Sequence, residues 1–236
     1  MEYLRVRQVA AGFRIAISAS ALFFVLTIAA MLLYPGGRVG DHESLGYSFF
    51  TNFFSDLGQT RTYGGHANYP SLVLFCIALG ATGIAAAVFF LTFSRLFEPR
   101  SAARRWGVAG GIFGIFAGLC FIGVAATPWN LYLQAHNQFV LWAFRLFLLA
   151  AICSGTAAVL GPRTRACAYV FASFSALLIA YITLLTIGPP AGTATGAAVQ
   201  ATAQKIIVYA SVLTILVVSL LALKFARLRV VAVPKS

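Results

Sequence analysis

Carboxylates are the scarcest functional group in this chain: Glu2, Asp41, Glu43, Asp56 and Glu98 are the only five in 236 residues, against 17 lysines and arginines. Charges of both signs make up 9% of the sequence, where soluble domains carry about a quarter, and so few cannot clothe a water-facing surface. Histidine is nearly as rare. His42, His66 and His136 form no HxxxH or HExxH pair and none lies mid-span, which argues against a helix-borne zinc pair and against haem clamped between transmembrane histidines. Cys76, Cys120, Cys153 and Cys167 all fall within or at the edge of apolar stretches, so no disulfide framework or thiolate metal centre follows from them. No P-loop or dinucleotide glycine fingerprint is present, and the basic loops are too short for a soluble catalytic domain. No metal and no cofactor are expected.

What is abundant is apolar surface, at 61% of the residues. Runs of about 20 apolar residues match the hydrocarbon thickness of a bilayer, and they recur six times, roughly at 14–35, 69–93, 106–127, 138–160, 167–189 and 203–225. The pattern predicts an all-α fold, a polytopic transmembrane bundle of six helices forming one domain over residues 1–236. The first run follows the basic leader Arg5, Arg7 and Arg14, as a secretory signal would. It is too long for a signal core and lacks a small-residue cleavage site, so it reads as a retained helix.

The net charge of +12 does not mark a nucleic-acid binder, because the basic residues alternate by loop instead of gathering on one soluble face. Arg5, Arg7, Arg14, Arg95, Arg100, Arg104, Arg105, Arg163, Arg165, Lys224, Arg227, Arg229 and Lys235, thirteen in all, fall on one side of the six spans. Only Arg38 and Arg61 fall in the opposite loops. The positive-inside rule then puts both termini in the cytoplasm, in a multi-pass protein of the cell's inner membrane. Trp129, Tyr132, Tyr34 and Tyr69 flank the outer interface, as membrane-anchoring aromatics do.

Two further patterns stand out. Gly107, Gly110, Gly111, Gly114 and Gly118 nearly strip one face of the third helix, which with Gly80 and Gly83 of the second suits close packing. The same face would suit a partner membrane protein or a second copy of the chain. In the long first outer loop, Phe49, Phe50, Phe53, Phe54 and Leu57 share one helical face, which predicts an extra amphipathic helix over Gly46–Leu57 with Gly58 as its cap.

Reactive side chains concentrate at the outer side. Arg145 enters its span by about eight residues, on the order of 10 Å, where a cation costs a few kcal/mol unless it pairs or snorkels. Asp56 is its first-choice partner, and Lys205 opens the last helix at the same level. These cations suggest an outward-facing pocket, built from Asp56, Asn68, Asn130, His136, Arg145, Gln204 and Lys205, that binds an anionic lipid headgroup. Two other readings compete: a membrane-embedded lipid hydrolase or transferase using His136 and Asp56 with Ser55 as nucleophile, and a structural or accessory subunit.

Tyr34-Pro35-Gly36-Gly37, Gly46-Tyr47-Ser48-Phe49, Asn52-Phe53-Phe54-Ser55-Asp56-Leu57-Gly58 and Asn68-Tyr69-Pro70-Ser71 together resemble an uncharacterised prokaryotic membrane protein family, domain-of-unknown-function family 998. Pro128-Trp129-Asn130 with His136 matches that family's Pro-x-Asp segment and following His, with Asn130 in place of the acid. Gln204-Lys205 stands where the family has Gln-Arg. The resemblance implies six helices and a prokaryotic membrane, and it supplies no reaction. The layout is more distantly similar to a eukaryotic six-helix group containing autophagy modulators and a GPI-lipid remodelling factor, which points to membrane lipids as partners.

Overall fold

The computed structural model describes the backbone of residues 2–162 and 164–231, and side chains over 6–162 and 164–225. The side chains of Glu2, Arg5, Arg227 and Arg229, and all of Arg163 and Lys235, lie outside the described residues. Six helices carry the fold: α1 Glu2–Leu32, α2 Tyr69–Ser94, α3 Ala102–Ala126, α4 Trp129–Leu160, α5 Arg165–Ile187 and α6 Ala194–Val231. All six are long and apolar enough to cross a membrane. Helices α1, α4 and α6 outrun the expected spans, because apolar runs mark the lipid-matched stretch and a helix can continue past it. Helix α4 starts at Trp129, directly after Pro128, and Tyr132 (φ −131°, ψ 48°) sets its first turn off from the rest.

Each helix packs against its chain neighbours, and α6 closes back onto α1, so the six form a ring in which α2 also touches α4 and α6. The hub of the ring is aromatic. Phe13 of α1 meets Phe89 of α2 at 6.1 Å between ring centres, Phe90 meets Phe147 of α4 at 5.5 Å, and Phe147 meets Phe174 of α5 at 5.1 Å. Edge-to-face pairs of this kind contribute about 0.5–1.5 kcal/mol each. Large aliphatic side chains such as Val25, Ile84, Leu119, Val159 and Ile179 point outward instead, the inverse of a water-soluble surface and the arrangement a bilayer requires.

Glycines make room for this hub. A Cβ on Gly118 would lie 2.3 Å from the Gly83 carbonyl oxygen, and one on Gly114 2.3 Å from the Phe90 ring. Gly110 turns to Ser154 and Ala150 of α4. The glycine face expected to suit an outside partner is therefore filled by α2 and α4, while Gly80 has nothing within 4 Å.

Residues 33–68 cap the end of the ring where α1 finishes, here termed the hairpin end. Strands β1 Gly36–Arg38 and β2 Asp41–Leu45 pair antiparallel around Val39-Gly40, with Gly40 at φ +79°, and Arg38 pairs with Asp41 at 2.8 Å. Of the helix expected over Gly46–Leu57, only a 3-10 turn at Phe54–Gly58 forms. Short polar side chains divert the rest: Asn52 Oδ1 accepts from Ser48 N at 3.0 Å, and Asp56 Oδ2 from Phe53 N at 2.9 Å. Gly58 does not cap a helix; the ring of Phe75 lies where its Cβ would be, at 2.5 Å.

Candidate functional site

The 3-10 turn plugs the ring. Phe54 and Leu57 are buried in it, and Phe54 packs on Phe23, Phe75 and Tyr209 at 5.4–6.0 Å. Main-chain groups lowered into an apolar ring need partners, and the polar residues singled out in the sequence supply them. Asn68 Nδ2 donates to the carbonyls of Asp56, Leu57 and Gln59 at 3.4, 3.1 and 2.9 Å. Asn130 grips Thr60 twice, accepting from its N–H at 3.1 Å and donating to its hydroxyl at 2.8 Å. Gln204 Oε1 accepts from Phe54 N at 2.8 Å. Asn68 and Asn130 thus hold the plug; neither lines the cavity beside it.

Lys205 is 0% exposed, donates to the Asn52 carbonyl and lies near the rings of Tyr47 and Phe49, at 5.6 and 5.4 Å. It faces the plug, not the cavity. Arg145 goes elsewhere: it is exposed, and its guanidinium sits 5.6 Å from the Trp142 ring on the outside of the bundle. The expected Arg145–Asp56 pair does not form, for a geometric reason. Nine residues separate His136 from Arg145, and at about 100° per residue this puts them on opposite faces of α4.

A cavity of about 390 Å³ opens between α4, α5 and α6 beside the plug. Its walls include Ser55, Asp56, Tyr63, Trp129, His136, Gln200 and Gln204, with Leu133, Val140, Leu141, Tyr181 and Leu185 opposite in character. Leu133 and Asn137 are exposed and border its mouth.

Three of its polar atoms are buried and lack a partner: Asp56 Oδ1, Trp129 Nε1 and His136 Nε2. Asp56, 0% exposed, spends Oδ2 on Asn52 Nδ2 at 3.0 Å and Phe53 N at 2.9 Å. Burial pushes its carboxyl up to about 7, against the hydrogen bonds from Asn52 and Phe53, the Lys205 cation and the nearby Trp129 indole, all of which favour the charged form. The indole approaches the carboxyl without completing a hydrogen bond to it. His136, 4% exposed, is fixed by Nδ1, which donates to the Thr127 carbonyl at 2.7 Å; in the neutral ring Nε2 is then an acceptor.

Asp56 and His136 therefore share a cavity without touching the same atom. Thr127, not Asp56, orients the imidazole, and among the described residues no hydrogen bond joins Ser55 to His136, so the hydrolytic arrangement is not assembled. Asp41, His42 and Glu43 lie on β2 at the hairpin, away from this cavity. Sequence reasoning took Trp129 for an interfacial anchor and passed over Tyr63. The one available signal was the position of Trp129 within the Pro128-Trp129-Asn130 segment.

Fold and site together define a multi-pass membrane protein with a plugged six-helix ring and a polar-ended cavity. The chain matches no family model, no curated protein and no solved structure.

Proposed function

We propose that this protein lies in a prokaryotic cytoplasmic membrane with both termini inside and the hairpin end outward, and that its cavity holds the polar head of a membrane lipid. The observation that carries the reading is the division of the cavity wall. Asp56, Trp129 and His136 each present an unpartnered buried polar atom, while Leu133, Val140, Leu141 and Leu185 form an apolar side that runs to the mouth. Leaving a buried polar group unpaired costs about 1–3 kcal/mol, so a ligand that satisfies three of them recovers a sizeable free energy. The volume falls in the range of ligand pockets, roughly 300–1,000 Å³, and suits a head with the first carbons of its tails. The thirteen-to-two division of basic residues supports the orientation. Of the residues that carry the family resemblance, Ser55, Asp56 and His136 line this cavity.

Native mass spectrometry of protein purified from its own membrane tests the reading. The parent should carry an adduct of lipid mass. Leu141→Trp, which fills the cavity, should reduce it about tenfold with thermal stability unchanged, and Val140→Phe should do the same from a second position. An adduct equally abundant in both variants removes the proposal.

A further inference from the structure

The polar end of the cavity also constrains which head it takes. This step rests on the lipid-binding reading and adds the chemistry of the inserted group. No lysine or arginine lines the cavity: Lys205 is held on the Asn52 carbonyl and Arg145 lies outside the bundle. Among the described residues Asp56 carries the one carboxyl of the wall, and its oxygen Oδ1 has no hydrogen-bond partner. An anionic terminal group would thus enter a site with a carboxyl and no countercharge, the reverse of what phosphate recognition requires.

The unpartnered atoms are more specific than the charge. Oδ1 of Asp56 is a free acceptor above about pH 7, where the carboxyl is ionised; in the neutral form the proton falls on Oδ1, because Oδ2 already receives two N–H donors, and His136 Nε2 accepts while the ring is neutral. Were the Trp129 indole to turn onto Oδ1, that oxygen would keep a second lone pair and Nε2 would keep its own. The two glutamines of the wall do not tip this balance: Gln200 gives one amide N–H to the Pro189 carbonyl at 2.6 Å, and Gln204 accepts from Phe54 N through its oxygen, which leaves its amide N–H groups. Among the three unpartnered buried atoms of the cavity wall, Trp129 Nε1 is the donor.

From this inventory we infer that the group inserted between Asp56 and His136 is a hydrogen-bond donor, the hydroxyl or primary ammonium end of a lipid head, and not a terminal phosphate. A hydroxyl donates to one acceptor and takes the Trp129 N–H on its oxygen; an ammonium donates to both acceptors and neutralises the carboxylate. The shared requirement is an N–H or O–H at the tip of the head.

Four dioleoyl lipids titrated against the full-length protein in detergent, read by native mass spectrometry, separate the possibilities. Phosphatidylethanolamine carries the ammonium donor, and phosphatidylcholine has the same charge with every N–H methylated. Diacylglycerol ends in a hydroxyl, and phosphatidic acid in a phosphate monoester. Phosphatidylethanolamine should bind at least about tenfold tighter than phosphatidylcholine, the worth of one lost hydrogen bond to a charged group, and phosphatidic acid should bind no better than phosphatidylcholine. Diacylglycerol retained without phosphatidylethanolamine supports the inference with hydroxyl as the source; the converse supports it with ammonium as the source.

Asp56→Asn places an N–H where Oδ1 stands and should reverse the preference toward phosphatidic acid. Phosphatidylcholine binding as tightly as both phosphatidylethanolamine and diacylglycerol, or tightest binding of phosphatidic acid to the parent, overturns the donor rule and leaves the lipid site standing. If all four leave the protein bare, the lipid site itself is wrong.

Discussion

Asp56 and Lys205 are joined through one residue, Asn52, whose side chain donates to the carboxylate at 3.0 Å while its main-chain carbonyl accepts from the lysine. Both ionisable groups are 0% exposed, yet they do not form a direct ion pair. The indirect link balances the charges at short range and leaves Asp56 Oδ1 turned to the cavity. A direct salt bridge would satisfy the pair and leave the cavity without its acceptor.

This linkage predicts an asymmetry between the two embedded cations. Lys205→Met strips Asp56 of its countercharge and the Asn52 carbonyl of its donor, and should destabilise the protein by about 3 kcal/mol, as breaking a buried pair does. Arg145→Ala, on the outside of α4, should stay within about 0.5 kcal/mol of the parent. Thermal unfolding in one detergent compares them directly.

The Asp56 carboxyl gives the pH dependence. Its folded value of about 7 lies above the ordinary 3.8, so the folded state holds the proton more tightly than the unfolded chain does. The stability this contributes is fully present below the ordinary value and is lost as pH rises through about 7. The melting temperature of the parent should therefore fall between pH 5 and pH 8, and Asp56→Asn should flatten that slope. A parent slope unchanged by Asp56→Asn would place the titration elsewhere.

What could be read from the sequence, and what could not, follows from the physics of each signal. Helix number was legible, because apolar run length reports depth in a bilayer one residue at a time. Depth says nothing of azimuth, and the Arg145–Asp56 pairing failed there; counting turns from His136 to Arg145 would have separated them. Gln204 and Lys205 are adjacent in sequence and both bind the plug, but one step of about 100° leaves only the first lining the cavity. Of the apolar face expected over Gly46–Leu57, Phe54 and Leu57 insert, whereas Phe49 and Phe50 are exposed. The segment was not a helix, because Asn52 and Asp56 bind nearby N–H groups and compete with the helical ladder. Asn68 and Asn130, expected in the pocket, hold the plug instead of facing the cavity.

The glycines of α2 and α3 should differ sharply in tolerance. Gly118→Val drives a side chain into the Gly83 carbonyl and should prevent recovery of folded protein. Gly80→Ala meets open space inside a helix and should be neutral or stabilising by up to about 1 kcal/mol. Yield of monodisperse protein after gel filtration distinguishes them.

The orientation is open to chemical labelling. Leu45, 94% exposed on the hairpin, replaced by cysteine should react with a membrane-impermeant maleimide applied to intact cells, whereas Arg100→Cys should react only after lysis. The reverse pattern would invert the proposed topology.

A structure determined in a lipid bilayer should show elongated density whose head lies within hydrogen-bond distance of Asp56 Oδ1 and His136 Nε2, with its tail leaving the bundle past Leu133 and Leu185. Isolated water peaks in that cavity, with the Trp129 indole closed onto Asp56, would contradict the lipid-binding reading.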